Sequence, residues 1–389
     1  MNSPARASIA VKRAIFGGNL YNATELAGAF GDLGTLIPFV IGYIVVAKID
    51  PVGILVSLGI LKIFVGIYFK TPVPIQPMKA IGASAIANPA AITPGMVWGS
   101  GLFSAVIWII MAVTGAITWL EKITARPVMR GIMLGLGISF MLEGLKMMSA
   151  QWLLAVVAFV LACLLLSSKR LPAILVLLCL GIISSLVLNP GLFEQLRQTP
   201  AQFRLPELVF GKVSWREILL GSLMLGIPQL PLTLGNAVLG TVAENNQLFP
   251  ERPTTVKKVA LDHGLINAVS FTLGGIPVCH GAGGMAGHVR FGARTGGALV
   301  MLGVIMLLLG LFFSRSVATL FNMIPAAVLG VILFFAGLEL ASISWDVSTK
   351  KQDTYVMLLT AGIAVINIGI AFAAGLALFY ALRSKVVKL

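Results

Sequence analysis

The chain has 389 residues, 58% of them hydrophobic and 11% charged, with a mean hydropathy of +0.98. A soluble domain carries roughly 25% charged residues, so this composition excludes one and predicts a polytopic membrane protein. The net charge of +14 fits Lys and Arg gathered on cytoplasmic loops rather than a nucleic-acid surface, and no nucleic-acid partner is expected.

Arg6, Lys12 and Arg13 predict a cytoplasmic N-terminus. Glu25 and Asp32 sit in the first apolar segment and argue against a cleaved signal peptide. The first span is expected over residues 26–47 and the second over 52–69, interrupted by Lys62; each approaches the ~20 residues a bilayer needs. Pro72-Val73-Pro74-Ile75-Gln76-Pro77 comes next. Prolines lack an N–H and bias their predecessors away from helix. An extended stretch that turns into a half-helix, ending near residue 88, is therefore expected, with Pro77 near its first turn. Spans at 96–120, 127–142, 152–166 and 171–188 complete a first half of seven segments.

Residues 189–212 carry Pro190, Pro200 and Pro206 among mixed charges, and predict an extramembrane linker. The second half starts near Trp215, with a span to about 242 that holds Gln229 and Asn236. A span at 259–273 carries Asp262 and His263. A second break follows, from Gly275-Ile276-Pro277-Val278 through Cys279-His280-Gly281-Ala282-Gly283-Gly284 to Gly287. Spans at 297–313 and 317–338 and two short segments within 355–382 finish the chain.

Pro74-Ile75 aligns with Pro277-Val278, and the span from Pro127 to Glu143 aligns with that from Pro325 to Glu339. Matching offsets of roughly 200 residues predict an internal duplication. Seven segments per half is odd, so the second copy enters the membrane from the other side. The expected fold is all-α and polytopic, with about 14 transmembrane segments arranged as a 7+7 inverted repeat containing two half-helices. Excess Lys and Arg on one set of loops agrees, with both termini cytoplasmic.

Irregular backbone at membrane depth is tolerated only where protein buries it or it lines a cavity. Two such breaks in corresponding places point to a transporter's binding site. Half-helix N-termini expose unpaired N–H groups and the positive dipole end. Met78, Lys79 and Ala80 on the first break, and His280, Gly281, Ala282, Gly283 and Gly284 on the second, are thus candidate substrate-binding residues for an anion. The glycines let a ligand approach the backbone, or alternatively only let helices pack closely. Lys79 is a cation deep in lipid and for that reason a functional candidate. Lys62, nearer a span's end, reads as a snorkelling lysine. Gln76 and Asn236 offer amide donors.

Glu25 and Asp32 are two helical turns apart on one face and are candidate proton-coupling carboxylates. His288, Arg290 and Arg294 read as a cytoplasmic charged loop, and Glu143 and Glu339 as interfacial. No His-Glu-x-x-His or Walker A sequence occurs, three histidines make no zinc cluster, and Cys163, Cys179 and Cys279 imply no disulfide. No enzyme, metal or cofactor is expected.

Pro74-Ile75-Gln76-Pro77-Met78-Lys79-Ala80-Ile81 and Phe291-Gly292-Ala293-Arg294-Thr295-Gly296 resemble the two signature motifs of the molybdate transporter family, a branch of the sulfate permease (SulP) superfamily. The stretch from Glu25 to Pro38 resembles that family's first segment. The resemblance covers most of the chain. It implies the fourteen-segment fold shared with uracil permease, in which a core domain moves against a gate domain and substrate binds between the third and tenth segments. Mapped here, residues 14–122 and 214–316 form the core, 123–190 and 317–389 the gate, and 191–213 the linker. No STAS domain, common in sulfate permeases, is expected, as in the molybdate branch. The basic residue that many of them carry early in the tenth segment is replaced by glycine-rich sequence, so Lys79 supplies the charge instead.

The resulting expectation is a secondary active transporter of a tetrahedral oxyanion, molybdate first and sulfate second, proton-coupled and working by alternating access. The alternatives are a nucleobase:cation symporter of the same fold and an anion channel. Its expected surroundings are the bilayer, that of the inner membrane if the source is bacterial, with a homodimer as an open assembly.

Overall fold

The structure is a computed structural model that describes residues 15–16, 18–123, 125–165, 173–343 and 350–384. Arg6, Lys12 and Arg13, on which the cytoplasmic N-terminus was argued, lie outside the described residues, as does the side chain of Glu339.

A two-residue hairpin, β1 (Ile15–Phe16) with β2 (Asn19–Leu20), precedes the first helices. Helix α1 (Ala23–Ala29) is capped by Asn22, whose side chain accepts from the Glu25 N–H, and passes through one 3₁₀ turn, Phe30–Asp32, into α2 (Leu33–Val45). Helix α3 (Pro51–Phe69) starts at an Asp50 cap followed by proline and stops at Lys70, which has φ 59°. The proline-rich stretch is extended, as its sequence dictates, and carries β3 (Gln76–Pro77) before the nine-residue half-helix α4 (Lys79–Ala87). Next comes α5 (Pro94–Thr114), capped by Thr93. The span expected to continue to 120 breaks at Gly115, whose φ of 78° suits glycine, and resumes as α6 (Ala116–Ile123). Helix α7 (Arg126–Met148) runs through a 3₁₀ turn into α8 (Trp152–Leu165). Helix α9 (Ala173–Leu188) bends by 98° into the short α10 (Gly191–Gln198).

The linker then crosses the second half in extended form. Gln202 N–H donates to Phe312 O at 2.9 Å, Arg204 N–H to Leu311 O at 2.8 Å, and the Arg204 guanidinium meets Asp50 at 2.6 Å. Helices α11 (Trp215–Gly221), α12 (Ile227–Leu232) and α13 (Thr241–Leu248) form one rod, joined by π-helical segments Ser222–Gly226 and Thr233–Gly240 and bent by 55°. Pro228 and Pro231 each delete a backbone donor there, which suits the widened turns. Helix α14 (Val256–Thr272), strand β4 (Val278–Cys279) and the nine-residue half-helix α15 (Ala282–Arg290) repeat the first break. Then come α16 (Gly297–Phe313), α17 (Val317–Asn322), α18 (Ala326–Ile343), α19 (Lys351–Ala364) and α20 (Ile368–Arg383). The span expected at 317–338 is divided ahead of Pro325, and the last two segments are separate helices.

The two breaks meet. Strands β3 and β4 pair antiparallel, Gln76 with Cys279 and Pro77 with Val278, and Met78 N–H donates to Pro277 O at 2.9 Å. Both half-helices therefore begin at one crossing. The halves are also joined by glycines in face-to-face contact. A Cβ on Gly66 would lie 2.4 Å from Gly296 O, and one on Gly296 1.8 Å from Gly66 O; Gly59 and Gly303 oppose each other likewise between α3 and α16. Gly137 with Gly337, and Gly144 with Gly330, do the same between α7 and α18. Small residues at such contacts let helices associate through close backbone packing where apolar burial supplies no drive.

Among the described residues four stretches are long and apolar enough to cross a bilayer: Ala23–Val45, Pro51–Phe69, Pro94–Thr114 and Arg126–Leu165. Counting the two bent pairs gives up to six. The expected fourteen includes half-helices and short helices, which fall below that length.

Candidate anion-binding site

Gln76 sits on β3 with its side chain buried against the start of α15. A Cβ on Gly284 would lie 1.9 Å from Gln76 Nε2, and one on Gly281 3.0 Å from Gln76 Oε1. Neither polar atom of that amide has a hydrogen bond. Asn236 comes from the π-helical segment Thr233–Gly240; its Nδ2 lies 3.6 Å from the same point on Gly281, and its Oδ1 also has no hydrogen bond. Lys79 opens α4. Its buried Nζ makes no hydrogen bond and lies 3.7 Å from the centroid of the Phe140 ring. Phe140, on α7, in turn abuts α15, because a Cβ on Gly283 would fall 2.2 Å from its Cε2. Gln76, Lys79, Asn236, Gly281, Gly283 and Gly284 thus converge, with Ala282 in the same first turn of α15. Gly284 N–H donates to Gly281 O at 2.9 Å, which leaves the N–H groups of Ala282 and Gly283 as those of the first turn with no carbonyl of their own helix to reach.

The backbone amides of the first break are less free than their position in a half-helix implies. Met78 N–H is taken by Pro277 O, and Ala80 N–H donates to Gln229 Oε1 at 2.9 Å. Met78 is itself buried, with its sulfur 3.8 Å from Ser104 Oγ. His280 directs both ring nitrogens away from the convergence: Nδ1 lies 3.0 Å from Pro74 O and Nε2 2.8 Å from Asp262 Oδ2. A cavity of about 870 Å³ fronts the site. Lys79, Ala80 and Phe140 line it together with Thr35, Phe39, Ser139, Glu143 and Leu333. Its mouth is marked by Glu143, an exposed side chain near Lys146, and by Ile366 and Asn367 at the break between α19 and α20.

Glu25 is buried, and its two oxygens accept from the N–H groups of Arg294 at 2.9 Å and Thr295 at 3.3 Å, fastening the segment after α15. Asp32 is buried too. Its Oδ2 lies 3.3 Å from Lys62 Nζ and 3.5 Å from His288 Nε2. Two expectations are corrected here. Lys62 does not snorkel: it is 0% exposed, held by Asp32 and by Ile75 O at 2.8 Å, because α3 is enclosed by other helices at that level. His288 and Arg290 are no loop residues either; α15 runs to Arg290, and His288 Nδ1 lies 2.8 Å from Gly28 O. Arg294 does follow α15, where its guanidinium donates to Val289 O and Ala293 O. The Asp32–Lys62 pair had a sequence signal, one carboxylate and one lysine in neighbouring apolar spans, since charges at such depth pair with one another.

Residues 24–140 and 221–340 match the family model described as Molybdate transporter of MFS superfamily. The chain is 30% identical over 414 residues to Molybdate transporter 2 of Arabidopsis thaliana, covering 93% of this chain and 88% of that protein. It is 27% identical over 471 residues to Molybdate transporter 1 of Chlamydomonas reinhardtii, covering 91% and 90%. Among solved structures it resembles the murine anion transporter Slc26a9 in the inward-facing state, with TM-score 0.62 at 13% identity over 95% of this chain and 69% of that one. It also resembles the transmembrane domain of the cyanobacterial bicarbonate transporter BicA, with TM-score 0.53 at 17% identity over 90% and 97%. Identities this low establish the fold. The family match over both halves and the relative sharing 30% of its residues establish the rest: the chain is an integral membrane protein that belongs to the molybdate transporter family.

Proposed function

We propose that the protein is a secondary active transporter of a tetrahedral oxyanion, molybdate first and sulfate second, driven by protons through alternating access. The observation that carries this is the convergence of buried, unpartnered polar atoms, Lys79 Nζ, the Gln76 amide and Asn236 Oδ1, on the amino end of α15 beside the cavity. A dianion leaving water needs its charge and its lone pairs compensated, since an unpaired charge out of water is very costly. Lys79 supplies a full charge, Gln76 and Asn236 supply amide donors, and the first turn of α15 supplies N–H groups and the positive dipole end. The names of the relatives point to the same substrate. A nucleobase symporter fits less well, because Glu25 and Asp32 are turned to backbone amides and to Lys62 rather than to this convergence.

In this reading residues 14–122 and 214–316 move as a core against a gate of 123–190 and 317–389, in a fourteen-segment inverted repeat with both termini cytoplasmic. Helix α7 then runs outward from Arg130, so a cavity with Glu143 at its mouth opens to the outside. Asp32, next to His288, carries a coupling proton, while Glu25 fastens the loop that follows α15.

Uptake of labelled molybdate by proteoliposomes under an imposed pH gradient tests the proposal. Accumulation that sulfate competes with, that uracil does not, and that a protonophore collapses is expected. Downhill flux indifferent to the protonophore would indicate a channel, and inhibition by uracil but not by sulfate would indicate a nucleobase carrier.

A further inference from the structure

Behind the β3–β4 crossing lies a second group of buried titratable side chains. Asp262 and His263 are consecutive on α14, and His280 immediately precedes Gly281, the residue that caps α15. All three are at most 2% exposed. Asp262 Oδ2 lies 2.8 Å from His280 Nε2, close enough for a pair although not aligned as a hydrogen bond. The rings of His280 and His263 are 5.8 Å apart, and His263 packs edge-on to Trp108 at 5.4 Å. Both nitrogens of His263 and both oxygens of Asp262 lack hydrogen bonds.

This cluster differs from the one at Asp32. There Lys62 at 3.3 Å and His288 at 3.5 Å share the carboxylate. Here the partner facing Asp262 is the His280 imidazole, with the His263 ring beside it, and an imidazole's charge is set by a proton. The other titratable groups around it are few. Helix α5 carries none, and α3 contributes Tyr68 and Lys62, the latter already held by Asp32. Helix α6 brings Glu121 and Lys122, α13 brings the buried Glu244, and β4 brings Cys279 with Lys79 in electrostatic reach of it. On α14 itself, Lys258 Nζ lies 4.8 Å from the ring centre of Phe69, and Phe69 packs edge-on to His280 at 5.9 Å. Among the described residues no three His, Cys, Asp or Glu side chains converge as a metal site. The ligand that suits one carboxylate and two imidazoles at this burial is a proton.

We propose that Asp262, His280 and His263 form a proton-binding site coupled to the oxyanion site; this rests on the transport function proposed above. A proton delivered by hydronium adds to Asp262 Oδ2 or to an imidazole nitrogen, leaving water, and no other bond changes. The coupling route is short. His280 adjoins the cap of α15, and its Nδ1 holds Pro74 O, two residues before Gln76, so it touches both breaks at once. A positive charge gained here favours a dianion at the neighbouring crossing. Linkage is reciprocal, so the bound dianion strengthens proton binding by the same factor. The two are then taken up together.

The test is calorimetric titration of the purified full chain with molybdate, in two buffers of different ionisation heat at the same pH. The difference reads protons taken up per molybdate bound. Wild type is expected to take up protons. Asp262→Asn is expected to bind molybdate with that uptake lost, and His263→Gln to shift the pH at which uptake is greatest. Uptake equal to wild type in folded Asp262→Asn overturns the proposal. Should that variant fail to fold, an unchanged pH profile in His263→Gln overturns it equally. So does loss of uptake in Asp32→Asn while Asp262→Asn retains it. Wild type that binds molybdate without taking up protons sinks this inference and leaves oxyanion binding standing, whereas wild type that binds neither molybdate nor sulfate sinks the transport function and the inference with it.

Discussion

Lys79 Nζ faces the Phe140 ring at 3.7 Å from its centroid, and the same ring fills the space above Gly283. One aromatic side chain from α7 thus touches the starts of both half-helices. A desolvated cation–π contact contributes about 2 kcal/mol. Phe140 therefore holds the ammonium in the absence of an anion and competes with the anion for it.

Removing the charge is the more damaging change. Lys79→Ala is expected to lose most molybdate binding, roughly the 2–5 kcal/mol seen when one partner of a buried charge pair is deleted. Phe140→Leu removes the competitor and keeps the lysine, so its molybdate Kd is expected to fall several-fold, within the roughly 0.5–2 kcal/mol of such a contact. Calorimetry on both variants checks this; near wild-type affinity in Lys79→Ala, with the fold intact, would place the ligand elsewhere.

Gly283→Val is expected to fail by a different route. The charge stays, but a Cβ only 2.2 Å from Phe140 Cε2 forces the ring toward Lys79 and the cavity. Molybdate binding should be lost while circular dichroism and detergent-solubilised monodispersity remain. Retained binding would mean that the start of α15 is not part of the cradle.

The Asp32–Lys62 pair makes a stability prediction. Asp32→Asn or Lys62→Met alone strands one buried charge, at a cost of about 3–5 kcal/mol. The double variant strands neither and should recover much of the thermal stability lost in each single one. Additive losses in a thermal-shift cycle would rule out the pairing. For transport, Asp32→Asn is expected to weaken proton-driven accumulation more than molybdate binding; unchanged accumulation and unchanged pH dependence would remove Asp32 as a carrier.

Sidedness is checked by labelling. Cysteines placed at Lys122 and Lys257 should react only from the cytoplasm, and one at Gln198 only from outside. External reaction at Lys257 would break the inverted count of segments.

The breaks were legible because proline acts locally. Pro72, Pro74 and Pro77 exclude a helix whatever surrounds them, and Pro277 with its following glycines does nearly the same. Their mutual pairing was not legible, since Gln76 meets Cys279 only through the tertiary fold. The same limit explains Glu25. Its two backbone donors lie some 270 residues ahead in the chain, and nothing in the residues around it announces them. Lys62 and His288 were misplaced because depth was judged from distance along a span, whereas burial depends on which helices lie alongside. The division of the α11–α13 rod into α and π turns likewise depends on how the prolines are accommodated, which period and hydropathy do not encode.

The opposed glycines carry a mechanical consequence. On α3 they lie at 59 and 66 and face 303 and 296; on α7 they lie at 137 and 144 and face 337 and 330. Seven residues, close to two turns, separate the contacts on every one of these helices. Each pair is therefore keyed at two points that run in opposite chain directions. Sliding one helix along the other would drive a side chain into backbone at both keys together. Shear within the pairs is blocked, and any large displacement must pass around them, with each pair carried as a single beam.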